Sequence, residues 1–389
     1  MVTTAALVAR DLLWADPSES FVSPYKASAC WVTYADGFVR RGLPGEILKV
    51  LAGGTPTPTQ ATILAAGLVL AATSALVILV TSVARVVQRP DDRLFVIALV
   101  TVSPFTFSLL DKEIGRLESI GVVVMAVIAA LARGGEVSAI SRLVRAAAMS
   151  ASVAMATACE ELLFAFVAPL AVLGLYRLGY TRGKLLALAT VVVAPGAVLA
   201  AMSVLLRPSQ ASLVVAISKA NAEGIPVDVT AENSISTLGQ SATQGLEFTL
   251  GMSALTVATC LLLFGGCYLL TTAMIRYVVR PDRLAWALIA TFGVAALLLS
   301  AIGNDYGRWW ALAFVAVVAG LAMLGSPSTV TTDIVRRARG LRLAGVLLAC
   351  AVLVFSVRLQ LLNVWPDWDP TADTAFSIDR LAHLDPNWS

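Results

Sequence analysis

Charges embedded in apolar sequence are the residues most able to do chemistry here. A charge at membrane depth costs about 2.5–3.5 kcal/mol by insertion scales, so one that persists there calls for a reason. Four such clusters stand out. The first runs from Tyr34 to Gly45 and sets Asp36 beside Arg40 and Arg41, with Gly37, Gly42 and Gly45 allowing backbone to approach a ligand. Its paired guanidinium groups match the fork of a phosphate, whether a ligand's or a lipid headgroup's. The second, Asp111 to Arg116, holds Asp111, Glu113 and Arg116 in a turn just before Glu118, and suits either a ligand cradle or a solvated, self-paired turn. In the third, Glu160 and Glu161 interrupt about 30 apolar residues. A carboxylate in so apolar a setting holds its proton more tightly, as a general acid or base requires, although a charged helix-hairpin turn has the same composition. If helical, the two would point about 100° apart, one to a cavity and the other to an Arg or the lipid interface. The fourth runs from Asn304 to Trp310; Asp305 and Arg308 are spaced to pair across a turn, next to Tyr306 and to Trp309 and Trp310, which suit interfacial anchoring or stacking on a sugar ring.

The elements that position these clusters are membrane helices. The chain has 389 residues, 58% hydrophobic and 14% charged, with a mean hydropathy of +0.83, whereas a soluble domain is about a quarter charged. Apolar runs lie near 60–84, 94–110, 118–132, 146–159, 162–176, 186–206, 252–275, 284–302, 309–324 and 343–357. The fold class is therefore all-α: a polytopic bundle of about ten spanning or partly spanning helices, plus an amphipathic juxtamembrane helix over Glu46 to Leu51. Residues 1–59 form an N-terminal interfacial segment, 60–358 the transmembrane domain and 359–389 a tail. Within the domain, the polar stretch 207–251 reads as a long loop of the kind that serves as a lid, with modest helical periodicity at its start.

Basic residues recur in alternate connections: Arg85, Arg89 and Arg93; Arg133, Arg142 and Arg145; Arg177, Arg182 and Lys184; Arg276, Arg280 and Arg283; Arg336 to Arg342. This alternation marks the cytoplasmic side and places all four clusters on the other. Arg40 and Arg41 depart from the orientation rule, and an anionic ligand such as a lipid phosphate or pyrophosphate would account for them.

Several classes are disfavoured. The net charge of +3 is scattered, which argues against nucleic acid. The five cysteines lack metal-ligand spacing, and the single histidine, His383, leaves no His-based triad or metal site in the membrane domain. Asp367-Trp-Asp369 resembles a metal-binding Asp-X-Asp, but in the tail beside Trp365 and Pro366 it reads as interfacial. No cofactor is expected and no metal is indicated. Pro195-Gly196 is the clear mid-helix break, and no internal repeat supports an inverted-repeat transporter.

The stretch Asp36-Gly-Phe-Val-Arg-Arg-Gly-Leu, together with Asp305-Tyr-Gly-Arg308, resembles the GT-C class of polytopic glycosyltransferases and bacterial membrane proteins of surface-polysaccharide assembly. The resemblance implies a sugar passing from a polyprenyl-phosphate donor to a glycan or lipid acceptor, at the extracytoplasmic face of a bacterial inner membrane. By that reading Asp36 is the base, with Glu160 or Glu161 as alternatives. Arg40, Arg41, Arg116 and Arg308 hold the phosphate, while Asp111, Glu113, Asp305, Tyr306 and Trp309 contact substrate. A lipid-linked polysaccharide polymerase or ligase uses the same chemistry; a transporter or flippase of lipid-linked sugars needs polar groups near the midplane or on both faces.

Overall fold

A computed structural model of the chain describes residues 28–34, 41–87, 90–101, 103–107, 117–133, 138–206, 208–224, 235, 238, 242–251, 257–258, 260–279, 283–302 and 306–324. Among these residues there are helices and turns but no strand, and the chain is a helical membrane bundle. The helices are α1 Gly42–Ala52, α2 Pro58–Val86, α3 Pro90–Thr101, α4 Glu118–Ala132, α5 Ala139–Cys159, α6 Phe164–Arg177, α7 Arg182–Leu205, α8 Gln210–Ala222, α9 Ala242–Gly251, α10 Gly266–Val279, α11 Arg283–Ile302 and α12 Tyr306–Leu324. Five segments are long and apolar enough to cross a membrane: Pro58–Val86, Ala139–Cys159, Gly183–Leu205, Arg283–Ile302 and Tyr306–Leu324.

Local chemistry sets several boundaries. Thr57 caps α2 by accepting from the Gln60 N–H, the Gln60 side chain accepts from the Thr57 N–H, and Pro58 occupies the first turn where its missing N–H costs nothing. Ser138 starts α5 by accepting from the Ser141 N–H. Gly53, at φ 68°, ends α1 and returns its N–H to the Lys49 and Val50 carbonyls.

Helix α12 is the axis of the bundle. Every residue from Tyr306 to Leu324 is buried, and the helix packs against α2, α4, α6, α10 and α11. Ala311, Ala313, Ala316, Ala319 and Gly320 keep it slim enough for neighbouring backbones to approach, the usual way membrane helices gain dispersion contacts. By contrast α7 is mostly exposed, with Leu186, Val191, Val198, Val204 and Leu205 facing outward, as lipid-facing residues do.

A smaller second core sits at the bundle end where α2 begins. The turn Ser28–Trp31, Val32 and Leu48 of α1 join Ala61 and Ala65 of α2 with Leu213, Ala216, Ile217 and Ala220 of α8, and with Ile235 and Leu238. The stretch 207–251, expected from its polar composition to be a loop, therefore carries α8 and α9, and α8 is packed onto the N-terminal segment. Its apolar residues at 213, 216, 217 and 220 have one-face helical spacing, and Ser209 caps it by accepting from the Ser212 N–H. The apolar run 343–357, the tail motif Asp367-Trp-Asp369 and His383 lie outside the described residues.

Candidate functional site

Four elements, distant in sequence, end at the same place. Helices α4 and α12 begin there with Glu118 and Arg308, α5 ends there at Cys159, and α1 starts there after Arg41. Between α5 and α6 the helix is interrupted: Glu160 is extended (φ −153°, ψ 109°) and Glu161 opens a short 3-10 turn, Glu161–Leu163. Glu160 and Glu161 are thus not successive positions of a continuous helix pointing apart. Both reach one guanidinium.

Arg41 Nε lies 2.9 Å from Glu160 Oε2 and 3.3 Å from Glu161 Oε2, and Arg41 Nη2 donates to Glu161 Oε1 at 3.3 Å. Arg41 is also the one non-glycine residue with positive φ among the described residues, at 63°. A left-handed conformation costs a side-chain-bearing residue about 1–2 kcal/mol, so its contacts to the two carboxylates hold a strained backbone in place. Deeper in the cluster, Arg308 Nη1 donates to Glu118 Oε1, and the Arg308 guanidinium stacks on the Trp309 ring at 4.1 Å from its centroid. Arg308 therefore pairs with Glu118, 190 positions away, a partner that the spacing did not point to. Trp309 and Trp310 are buried inside the bundle, 1% and 6% exposed, which overturns their reading as interfacial anchors. The interfacial belt keeps one end of a tryptophan wet, and these have neither end wet.

The two pairs form one electrostatic unit. Glu118 acts on Arg41, and Glu160 feels Glu161, Glu118 and Arg308 as well as Arg41. Among the described residues the cluster holds three carboxylates and two guanidinium groups. Glu160, past the end of α5 and outside the helical spans, is buried; that burial raises its carboxyl to about 8, Arg41 pulls it back, Glu161 and Glu118 push it up again, and Arg308 opposes them. The result is a carboxyl able to exchange a proton near neutral pH. Its Oε1 is buried without a hydrogen-bond partner among the described residues, as are the Tyr306 hydroxyl and the indole N–H groups of Trp309 and Trp310 at the head of α12.

Of the residues singled out from sequence, the fold brings together Arg41, Glu160, Glu161, Arg308, Tyr306 and Trp309. Asp36, Arg40, Asp111, Glu113, Arg116 and Asp305 lie outside the described residues. Glu118 was not among the expected site residues, although an acidic residue opening an apolar run was the signal for it. Tyr34 and Glu46 add a brace, the Tyr34 N–H donating to Glu46 Oε2 at 3.1 Å and fixing α1 against the turn before it. Among the described residues no three His, Cys, Asp or Glu side chains are grouped to hold a metal.

Residues 3–238, more than half of the chain, match the family model described as uncharacterised membrane protein Rv1490. The chain belongs to this family. The matched stretch contains Arg41, Glu118, Glu160 and Glu161 and stops before α12, so the Arg308 and Trp309 side of the cluster lies beyond it. No curated protein and no solved structure matches the chain. Pro195 lies inside the continuous helix α7, Pro169 lies inside α6, and a π-helical stretch, Leu261–Gly265, leads into α10.

Proposed function

We propose that this membrane protein is a glycosyltransferase that moves a sugar from a polyprenyl-phosphate donor to a glycan or lipid acceptor at the extracytoplasmic face. The observation that carries the reading is the buried cluster of Arg41, Glu160, Glu161, Glu118 and Arg308, which joins a proton-exchanging carboxyl to two guanidinium groups. The donor's phosphate competes with Glu160 and Glu161 for Arg41, and with Glu118 for Arg308. Glu160 acts in its ionised form: once Arg41 turns to the phosphate, that carboxylate loses its nearest cation and becomes a stronger base. It then takes the proton from the acceptor hydroxyl, the hydroxyl oxygen bonds to the anomeric carbon, and the bond from that carbon to the phosphate oxygen breaks. The electron pair leaves with polyprenyl phosphate, whose charge the guanidinium groups stabilise. The unpartnered Tyr306 hydroxyl and Trp309 indole N–H are donors suited to sugar oxygens.

The test uses the full chain in proteoliposomes with a radiolabelled polyprenyl-phosphate sugar and a glycan acceptor. Transfer of label by the native protein and its loss in Glu160→Gln support the reading; label that stays lipid-linked with every acceptor tried refutes it. A polymerase or ligase would show the same Glu160 dependence with a lengthened, lipid-released glycan as product. Transport of the lipid-linked sugar is favoured by a separate feature, the irregular helical positions at Pro169, Pro195 and the π-helical stretch Leu261–Gly265, each of which loosens the backbone ladder inside a helix. In that case label changes leaflet without changing its chemical linkage.

A further inference from the structure

A second set of charges occupies the opposite end of the same helices. Helix α4 and its cap separate Glu118 from Arg133, α5 separates Arg142 from Glu160, and α12 separates Arg308 from the Ala322 carbonyl, about 20–30 Å in each case. At the far end Arg133 donates through Nη1 to Ser82 Oγ, and through Nη2 to the Ala322 carbonyl at 3.3 Å. Ser82 lies one turn before Arg85 on α2. Arg145 Nη1 donates to the carbonyls of Arg133 at 2.6 Å and Leu131 at 3.2 Å. Arg142, one turn before Arg145 on α5, holds its guanidinium 5.8 Å from the centroid of the Tyr180 ring. Two connections thus deliver guanidinium groups to one end of the bundle, and none of Arg85, Arg133, Arg142 and Arg145 forms an ion pair with a carboxylate among the described residues.

We propose that Arg85, Arg133, Arg142 and Arg145 form a binding site for the phosphate headgroup of an anionic phospholipid. Part of the arginine set has a structural use: Arg133 and Arg145 satisfy carbonyls at the ends of α4 and α12, where the helix dipoles favour cations. That use does not account for the other two. Arg85 is exposed, without a capping bond among the described residues, and close enough to Arg133 for the like charges to act on each other. Arg142 has its Nε buried with no hydrogen-bond partner among the described residues, although a guanidinium carries five donors. An anion held at this end supplies an acceptor for Arg142 and a countercharge for Arg85 and Arg133, and phosphate oxygens fit the guanidinium fork. The surroundings select a lipid as the source. Beside Arg142 and Arg145 on α5, Ile140, Leu143 and Val144 are exposed at 77%, 61% and 62%, so a phosphate held by the arginines would have its acyl chains lying against apolar side chains. The cluster is also distinct from the Glu160 site, and its occupancy does not depend on what that site does.

The experiment measures phosphatidylglycerol retention by native mass spectrometry and melting temperature in detergent, for the full chain and for Arg85→Gln/Arg142→Gln, the two arginines not engaged in capping. Phosphatidylcholine and inorganic phosphate are the comparison ligands. The native protein is expected to retain phosphatidylglycerol and melt higher with it than with phosphatidylcholine. The double variant is expected to bind phosphatidylglycerol about thirtyfold more weakly while melting normally without lipid. If the double variant does not fold, the two single variants take its place, each expected to lose part of the retention. Equal responses to the two lipids, or undiminished retention in the variants, overturn the proposal. Inorganic phosphate reproducing the whole shift, with no lipid retained, assigns the site to a free anion and overturns the lipid source.

Discussion

The Arg308–Glu118 pair offers the sharpest test of the buried cluster, because both partners are almost out of contact with solvent, at 8% and 1% exposure. Replacing either one breaks a buried ion pair and leaves the other charge less compensated in a low-dielectric interior, at a cost of about 3–5 kcal/mol. Glu118→Gln is expected at the lower end, since Glu160 also attracts Arg308 and leaves it partly compensated. Arg308→Gln is expected at the upper end: it leaves Glu118 beside two further carboxylates with Arg41, which those carboxylates already hold, and also removes the guanidinium from the Trp309 ring, a contact worth about 1–2 kcal/mol when desolvated. The double variant Glu118→Gln/Arg308→Gln removes both charges, so its loss is expected to fall short of the sum of the single losses by about 2 kcal/mol or more. The assay is a double-mutant cycle on thermal unfolding in detergent, followed by tryptophan fluorescence, with size-exclusion profiles to confirm that each variant is monodisperse before melting. Losses that add within about 0.5 kcal/mol would show that the two side chains do not interact, and the cluster as described would be wrong.

Three further outcomes follow from the same geometry. Arg41→Ala loses the contacts to Glu160 and Glu161 but keeps the left-handed backbone, while Arg41→Gly loses the same contacts and relieves it; the glycine variant should melt as the more stable of the two by about 1 kcal/mol, and an alanine variant of equal or greater stability would refute strain at this position. Glu161→Gln removes a carboxylate that raises the proton affinity of Glu160 and leaves Arg41 to Glu160 alone, so any activity that needs ionised Glu160 should rise at a lower pH than in the native protein; a pH–rate profile that stays put, or moves up, refutes the coupling. Gly45→Ala would place a Cβ 2.0 Å from the Val32 carbonyl oxygen, a backbone atom that cannot swing aside, so α1 should detach from the 28–34 turn at a cost of about 3 kcal/mol; hydrogen exchange over 42–52 that matches the native protein would count against this packing.

How much of this was legible in the sequence depended on the range of the interaction. Helix class and most helix positions followed from apolar runs, because burial in lipid is written in composition. Glu160 and Glu161 stood out for the same reason in reverse, as carboxylates where carboxylates are costly. Their partner did not: nothing in the spacing links Arg41 to Glu160, 119 positions away, since the link exists only once α1 and α5 end at the same level. Arg308 shows the contrast directly. Its local spacing points only to Asp305, which lies outside the described residues, and the parallel starts of α4 and α12 add Glu118 as a partner that no spacing announces. The segment 207–251 showed only modest helical periodicity at its start, and α8 lies there. Its Ser, Thr and Asn content outweighed the one-face pattern of Leu213, Ala216, Ile217 and Ala220, and helices need only that face to be apolar.

Two properties of the cluster are hard to reconcile with a purely structural ion network. A network that serves only to bind helices together gains from balanced charge, because each uncompensated buried ion costs several kcal/mol. Here Glu160 is buried first of all, and Glu161 and Glu118 lie near enough to add to that burial against the pull of Arg41, so the carboxyl holds its proton tightly. Binding helices together also gives no reason to hold Arg41 at φ 63°, where the same ion pairs cost an extra 1–2 kcal/mol or so of backbone strain. Both costs fall at the junction of α1 with the bundle, where Ile47, Val50 and Leu51 are exposed along one side of the helix as in an interfacial helix. An anion entering from that side meets Arg41 first. By taking the guanidinium from Glu160 it would relax the backbone and release a base in the same movement, which gives the strain and the extra carboxylate one shared explanation.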